Sequence, residues 1–342
     1  MSNLPMAIRG TGLVTSVGLT SARSCAAFRA KVSNATQTRF LDARGEWIFA
    51  HQVELDQPVR GLAKLVGMAV LAVREALAEV PESAWGRLPV ILCVAEGDRP
   101  GRVAGLDQDL FEGIQSELGI RFAERSTILA QGRVGIASAL ARARQWLDEG
   151  SATQVLVTAA DSLLSWPTLS HYVNEHRLLT PGNSNGFIPG EAAGALLVSA
   201  ATGGEELLCA GIGFGVEAAH IDSGEPLRAE GLTHAFKAAL ADAGCHMQDM
   251  HFRIADNSGE QYYFKEGALA YSRVLRARQE EFDIWHPAEC TGEIGAASGA
   301  TLVAAAWAAC SKRYAKGTNI LVHMGNDDGQ RAALALAYRR AA

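Results

Sequence analysis

Apolar residues recur at helical spacing over 60–80, where Leu62, Leu65, Val66, Ala69, Val70, Val73, Ala76 and Leu77 form one stripe. A second amphipathic helix is predicted over 136–149. Ile136, Ala139, Leu140, Ala143, Trp146 and Leu147 share a face there, and Gly150 supplies a stop. Between the two helices the pattern changes. Residues 88–95, LPVILCVA, are continuously apolar, as in a strand covered on both faces. Residues 96–126 turn to Gly, Asp and Arg and read as loop with a helix near 105–118. Strands are predicted over 7–16 and 154–160.

Residues 161–185 show no firm period and carry Trp166, His171, Tyr172 and His176. A Gly-rich turn then leads into a strand over 186–200. From 205 the order restarts. Strands are predicted over 207–214, 252–255, 319–323 and 331–338, and helices over 232–243, 263–278 and 296–312. The last helix is almost wholly apolar. Two runs of the same alternation, each with one apolar helix (136–149 and 296–311), imply an internal duplication. Residues 1–203 and 204–342 are expected to form its halves within one compact unit.

Composition narrows the function. The 342 residues are 48% hydrophobic and carry a net charge of −6 without a run of like charges, so a nucleic-acid footprint is not expected. Six cysteines are scattered with no CxxC pair, which points to neither zinc nor disulfides and fits a reducing cytoplasm. The first 18 residues hold one Arg and no long apolar core, unlike a signal peptide. The most apolar run, near 296–310, is shorter than a membrane span, so no membrane partner is expected. Gly10, Gly12 and Gly18 do not make GxGxxG, and the nine histidines show neither HxH nor HExxH spacing. No cofactor and no metal are assigned.

The stretch 127–150 reads as strand, turn and helix. α/β enzymes display a nucleophile at such a turn, where helix N–H groups favour a negative centre. The turn here, AQGRVG at 130–135, contains no Cys, Ser or Thr.

Four phrases resemble one family. GFIPGEAAGALLVSA (186–200) resembles the GFV-x-GEGAG-x-x-V signature of β-ketoacyl-acyl-carrier-protein synthases of the thiolase superfamily. GTGLVTSVG (10–18) resembles that family's G-x-G-x-V-[ST]-x-x-G start, GEIGAASG (292–299) its GH-x-x-GAAG turn, and HMGNDDGQRAALAL (323–336) its closing SFGFGG-x-N-x-x-L-x-L. They occur in family order. The resemblance implies an α/β thiolase fold: a duplicated, five-layered αβαβα sandwich with two mixed sheets around central apolar helices, normally a dimer.

The family's synthases use a Cys and two His residues. Carried across, the elbow offers Gln131, Gly132 or Arg133, Asp256 takes the first His slot, Glu293 the second, and Ala288 lies near the usual Lys. The closing turn becomes Gly325-Asn326-Asp327-Asp328-Gly329. Arg133, Glu260, Cys290, His323, Asp327 and Asp328 are candidates to line the pocket, and Gly186, Phe187, Gly190 and Glu191 form a structural turn in which Glu191 satisfies backbone N–H groups. The acids Asp256, Glu260, Glu293, Asp327 and Asp328 would converge, as a cation site, an acid–base pair or a hydrogen-bonded rim. Tyr262, Tyr263 and Phe264 read as core or interface aromatics.

Without a thiolate there is no acyl-enzyme, and carboxylates repel an enolate. The expected function is therefore that of a non-catalytic ketosynthase-like binding partner, similar to a chain length factor or to an assembly or secretion accessory. It would form a homodimer, or a heterodimer with an active synthase or an assembly or secretion protein, with an acyl thioester as a further ligand. The alternative is a β-ketoacyl synthase or related acyltransferase with altered active-site chemistry.

Overall fold

The structure, a computed structural model, describes residues 5–42 and 44–340. Residues 1–4 and 341–342, the outer ends of the two expected halves, lie outside the described residues. In chain order it runs β1 (Met6–Val14), α1 (Ser21–Ala30), β2 (Thr36–Leu41), β3 (Trp47–Ala50), α2 (Gly61–Ala76), α3 (Glu82–Trp85), β4 (Val90–Val94), α4 (Gln108–Leu118), β5 (Thr127–Ala130), α5 (Gly135–Asp148), β6 (Gln154–Ser162), α6 (Trp166–Asn174) and β7 (Glu191–Ala200). There follow β8 (Glu206–Val216), α7 (Glu230–Asp242), β9 (Phe252–Ala255), α8 (Gln261–Val274), β10 (Ile284–Trp285), α9 (Ala288–Thr291), α10 (Ser298–Ser311), β11 (Asn319–Gly325) and β12 (Gln330–Arg339).

Two five-stranded wings share one topology, β5-β4-β6-β7-β1 and β10-β9-β11-β12-β8. In each, the outer three strands are parallel and the remaining pairings antiparallel. The sequence leads one to expect two separate sheets. The structure joins them: both β1 and β8 end a wing, and Met6–Ile8 pairs antiparallel with Leu207–Cys209.

Side-chain alternation along the strands builds the layers. Leu196 and Val198 of β7, and Leu334 and Leu336 of β12, point inward to one cluster with Ile136, Leu140, Val303 and Ala306 of α5 and α10. Their neighbours Ala195 and Leu197 face α2 and α4 on one outer side. Ala333 and Leu321 face α7 and α8 on the other. The result is the five-layered αβαβα sandwich expected from the resemblance. Eleven of the fourteen residues of α10 are buried, and its small side chains, six Ala and one Gly among them, let it pack closely at the centre.

Each outer helix lies tight on its sheet through strand glycines. A Cβ on Gly12 would meet the Ala72 carbonyl of α2, and one on Gly213 the Ala235 carbonyl of α7. Gly12→Ala is expected to cost about 1–3 kcal/mol by overpacking, seen as a lower urea midpoint. An unchanged midpoint would contradict this contact.

Seven elements went unforeseen: α1, β2, β3, α3, α6, β10 and α9. α1 buries only Ser24 and Cys25, β2–β3 is a small hairpin packed at the surface, and α6 lies in the stretch without a period. α6 starts at Ser165, whose hydroxyl accepts from Thr168 N–H, with Pro167 in its first turn.

Candidate functional site

The two central helices begin alike. β5 leads into a 3₁₀ turn, Gly132–Val134, before α5, and a second such turn, Gly295–Ala297, precedes α10. Gly132 (φ +50°) and Gly295 (φ +55°) occupy the left-handed region that glycine tolerates. A Cβ on Gly132 would strike the Glu96 carboxylate, and one on Gly295 the Asp161 carboxylate. Arg99 ties these acids together, reaching Glu96 at 2.8 Å and Asp161 at 2.6 Å. Asp161 also accepts from Ala296 N–H at 2.8 Å. The chain is thus forced to turn sharply where the helices meet.

The elbow turns one long side chain inward. Arg133 is 5% exposed. Its guanidinium donates to Glu293 at 3.1 Å, Tyr263 Oη at 2.7 Å and Asp327 Oδ1 at 2.6 Å, and its Nε lies 3.9 Å from Asp256. Arg177, on the segment after α6, grips Glu260 with two bonds of 2.8 Å and donates to Asp327 Oδ2 at 2.8 Å. Asp327 therefore bridges both guanidiniums. The Tyr263 hydroxyl donates to it as well. The remaining acceptor capacity is used too. Glu293 accepts from Gly295 N–H (2.9 Å) and the Ser258 hydroxyl (3.1 Å), and Asp256 accepts from Gly325 N–H (2.9 Å). Asn326 clamps the elbow, donating to the Gln131 carbonyl (3.0 Å) and accepting from Val134 N–H (3.3 Å).

Two guanidiniums face four carboxylates. Burial pushes the Asp256 carboxyl up to about 7, with Arg133 opposing and Glu293 adding to the rise. Burial raises Glu260 against the pull of Arg177. Asp327 goes the other way. Burial acts to raise it, but Arg133, Arg177 and the bonds from Arg177 and Tyr263 more than offset that, holding it well below the usual carboxylate range. Burial alone would lower Arg133, yet Tyr263, Glu293, Asp327 and Asp256 hold it charged. Because Asp256 titrates higher folded than unfolded, the stability it contributes is full below its unfolded value of about 4 and is lost as pH rises through about 7. Asp256→Asn is expected to flatten the fall in melting temperature between pH 5 and 8. A slope equal to that of the parent protein would contradict it.

The sequence-selected residues sort cleanly. Arg133, Asp256, Glu260, Glu293 and Asp327 come together. Gly132 supplies backbone only, and the exposed Gln131 meets the cluster through its carbonyl alone. Cys290 lies elsewhere: its Sγ sits 3.9 Å from the Ala27 carbonyl of α1, and burial with Glu289 beside it pushes the thiol up to about 11. His323 is buried with its ring edge on Phe236 of α7 at 5.3 Å. Asp328 is exposed and accepts from Gln330 N–H. So four of the five acids converge, and arginines occupy the space a cation would need. Glu191 accepts from Val53 N–H at 2.9 Å, and also pairs with Lys64 and accepts from the Ser162 hydroxyl. In its turn, Gly186 and Gly190 pass against the backbone of Leu178 and Thr291, and Phe187 packs edge-on to Tyr172 at 5.0 Å. Tyr263, read as a core aromatic, is a buried hydrogen-bonding member of the cluster. Arg177 and Arg99 escaped the sequence reading, and Tyr172 was noted there without a role at the site. The space left in the cluster is about 20 Å³, lined by Arg99, Arg133, Tyr172, Arg177, Glu293 and Asp327 among others. That is room for a single water. No thiol or imidazole lines it.

No protein-family model matches the sequence, and no curated protein matches it. Solved structures do. One is a type II polyketide-synthase acyl-carrier protein in complex with its ketosynthase bound to the hexaketide (TM-score 0.81, 15% identity, covering 98% of this chain and 100% of that one). This is the ketosynthase fold. The ishigamide ketosynthase/chain length factor matches with TM-score 0.79 and 19% identity over 98% of this chain and 100% of that one. A ketosynthase in complex with its chain length factor from Xenorhabdus doucetiae matches with TM-score 0.77 and 13% identity over 98% of each chain. At these identities the likeness is one of fold. The ketosynthase fold thus embraces both ketosynthases and chain length factors, and this chain spans it from end to end.

Proposed function

We propose that this chain is a ketosynthase-fold protein that carries out no condensation and works by pairing, as a chain length factor or an assembly accessory does. The observation that carries the reading is the guanidinium of Arg133, locked to Glu293, Asp327 and Tyr263 at the elbow where the family's synthases hold their acyl group. A guanidinium is not a nucleophile. The carboxylates around it offer a developing enolate repulsion, and the void of about 20 Å³ admits no acyl chain. We place the boundary between the two halves at 203/204, in the turn between β7 and β8, and the protein in the cytoplasm. No described helix is long and apolar enough to cross a membrane.

Native mass spectrometry of the chain purified from its own host tests the pairing. A complex of this chain with one further chain of its own kind or of a synthase is expected, and a species of 36.2 kDa alone at micromolar concentration would contradict it. One observation favours a second reading, an acyltransferase with altered chemistry: Asp256, raised to about 7, is a buried acid able to exchange a proton near neutrality. Turnover of acyl and malonyl thioesters separates the two readings.

A further inference from the structure

A cavity of about 810 Å³, lined by none of the ion-cluster residues, opens between α1, the β10 edge and α10. Its size suits a drug-sized molecule. Its floor is apolar, with Ile254 and Ala305. Its wall is aromatic: Trp285 and Tyr314 lie nearly parallel, 19° apart with centroids at 6.2 Å. The Arg29 guanidinium, exposed at the mouth, lies 4.7 Å over the Tyr314 ring.

Charge decides what enters. Lys31 is paired with Glu289 at 3.5 Å, and Asp283 with Lys316 at 3.4 Å. Arg29 has no carboxylate partner among the described residues, which leaves one uncompensated positive charge at the rim. The buried Nδ1 of His286 has no hydrogen-bond partner among the described residues. Burial lowers His286, so the ring adds no second positive charge at the rim near pH 7.

We infer that this cavity binds a small planar aromatic monocarboxylate, its ring against Trp285 and Tyr314 and its carboxylate on Arg29. Flat rings favour a flat guest over an alkyl chain, and a single unpaired guanidinium favours a single negative charge. The site is separate from the elbow, so it stands or falls independently of the proposed pairing function.

Titration of the full chain with 1-naphthoate, 1-naphthamide and decanoate, followed by calorimetry, tests the inference. Saturable one-to-one binding of 1-naphthoate is expected, at least tenfold tighter than the amide or decanoate. Arg29→Met is expected to remove that preference over the amide while the chain stays folded, since Arg29 lies on the surface. Trp285→Phe is expected to weaken naphthoate and naphthamide alike. No saturation at 1 mM naphthoate, decanoate binding as tightly, or naphthoate binding unaffected by Arg29→Met would each overturn the assignment.

Discussion

Replacing Arg133 by Ala is expected to cost about 3–5 kcal/mol of stability at pH 8, the scale for breaking a buried ion pair by removing one partner. The loss follows from what stays behind. Glu293 and Asp256 remain buried and Asp327 half-buried around an empty guanidinium site, and the Tyr263 hydroxyl loses a donor. Without the cation the carboxyl of Asp256 is left to burial and to the repulsion of Glu293, both of which favour its protonated form. Protonation relieves that repulsion, so the defect should shrink as pH falls to 5. Urea denaturation of the parent and Arg133→Ala at pH 5 and pH 8 measures both effects. An equal loss at the two pH values would contradict the electrostatic account, and no loss would contradict the cluster.

Asp327→Ala is expected to destabilise by a similar amount, with a different pH dependence. Asp327 joins Arg133 to Arg177 and accepts from Tyr263, so its removal leaves two buried guanidiniums with fewer partners. Its carboxyl is held below its unfolded value of about 4. The stability it contributes is therefore present above that value and is lost only as pH falls beneath it. The Asp327→Ala defect should persist undiminished from pH 8 to pH 5, where the Arg133→Ala defect is already shrinking. The double variant should lose about 1–3 kcal/mol less than the sum of the singles, because the two residues share one network. Simple additivity would show that they act separately.

Periodicity made most of the fold legible. The stripe of α2, the continuous apolar β4 and the restart after 205 are direct consequences of which faces are buried, and the Gly phrases placed them in family order. α6 was hidden because its nine residues bury only Thr168, Leu169 and Tyr172, too few to set a period. The helix predicted over 263–278 ends at Val274 for a similar reason: beyond it the polar residues 276–281 have no face to bury.

The site was half legible. Asp256, Glu293 and Asp327 stood at motif positions, and Arg133 was one of three residues offered for the elbow and a candidate to line the pocket. Arg177 was not, because its partners lie 83 and 150 positions away in a segment without a pattern. One signal was available in principle. Four acids brought to one buried place demand cations, and Arg133 alone does not balance them.

Incubation of the purified chain with radiolabelled malonyl and acyl thioesters tests the central claim most directly. The account predicts no covalent label on the protein and no carbon dioxide release above a heat-denatured control. Labelling of any side chain at the elbow, or decarboxylation that Asp256→Asn abolishes, would contradict it.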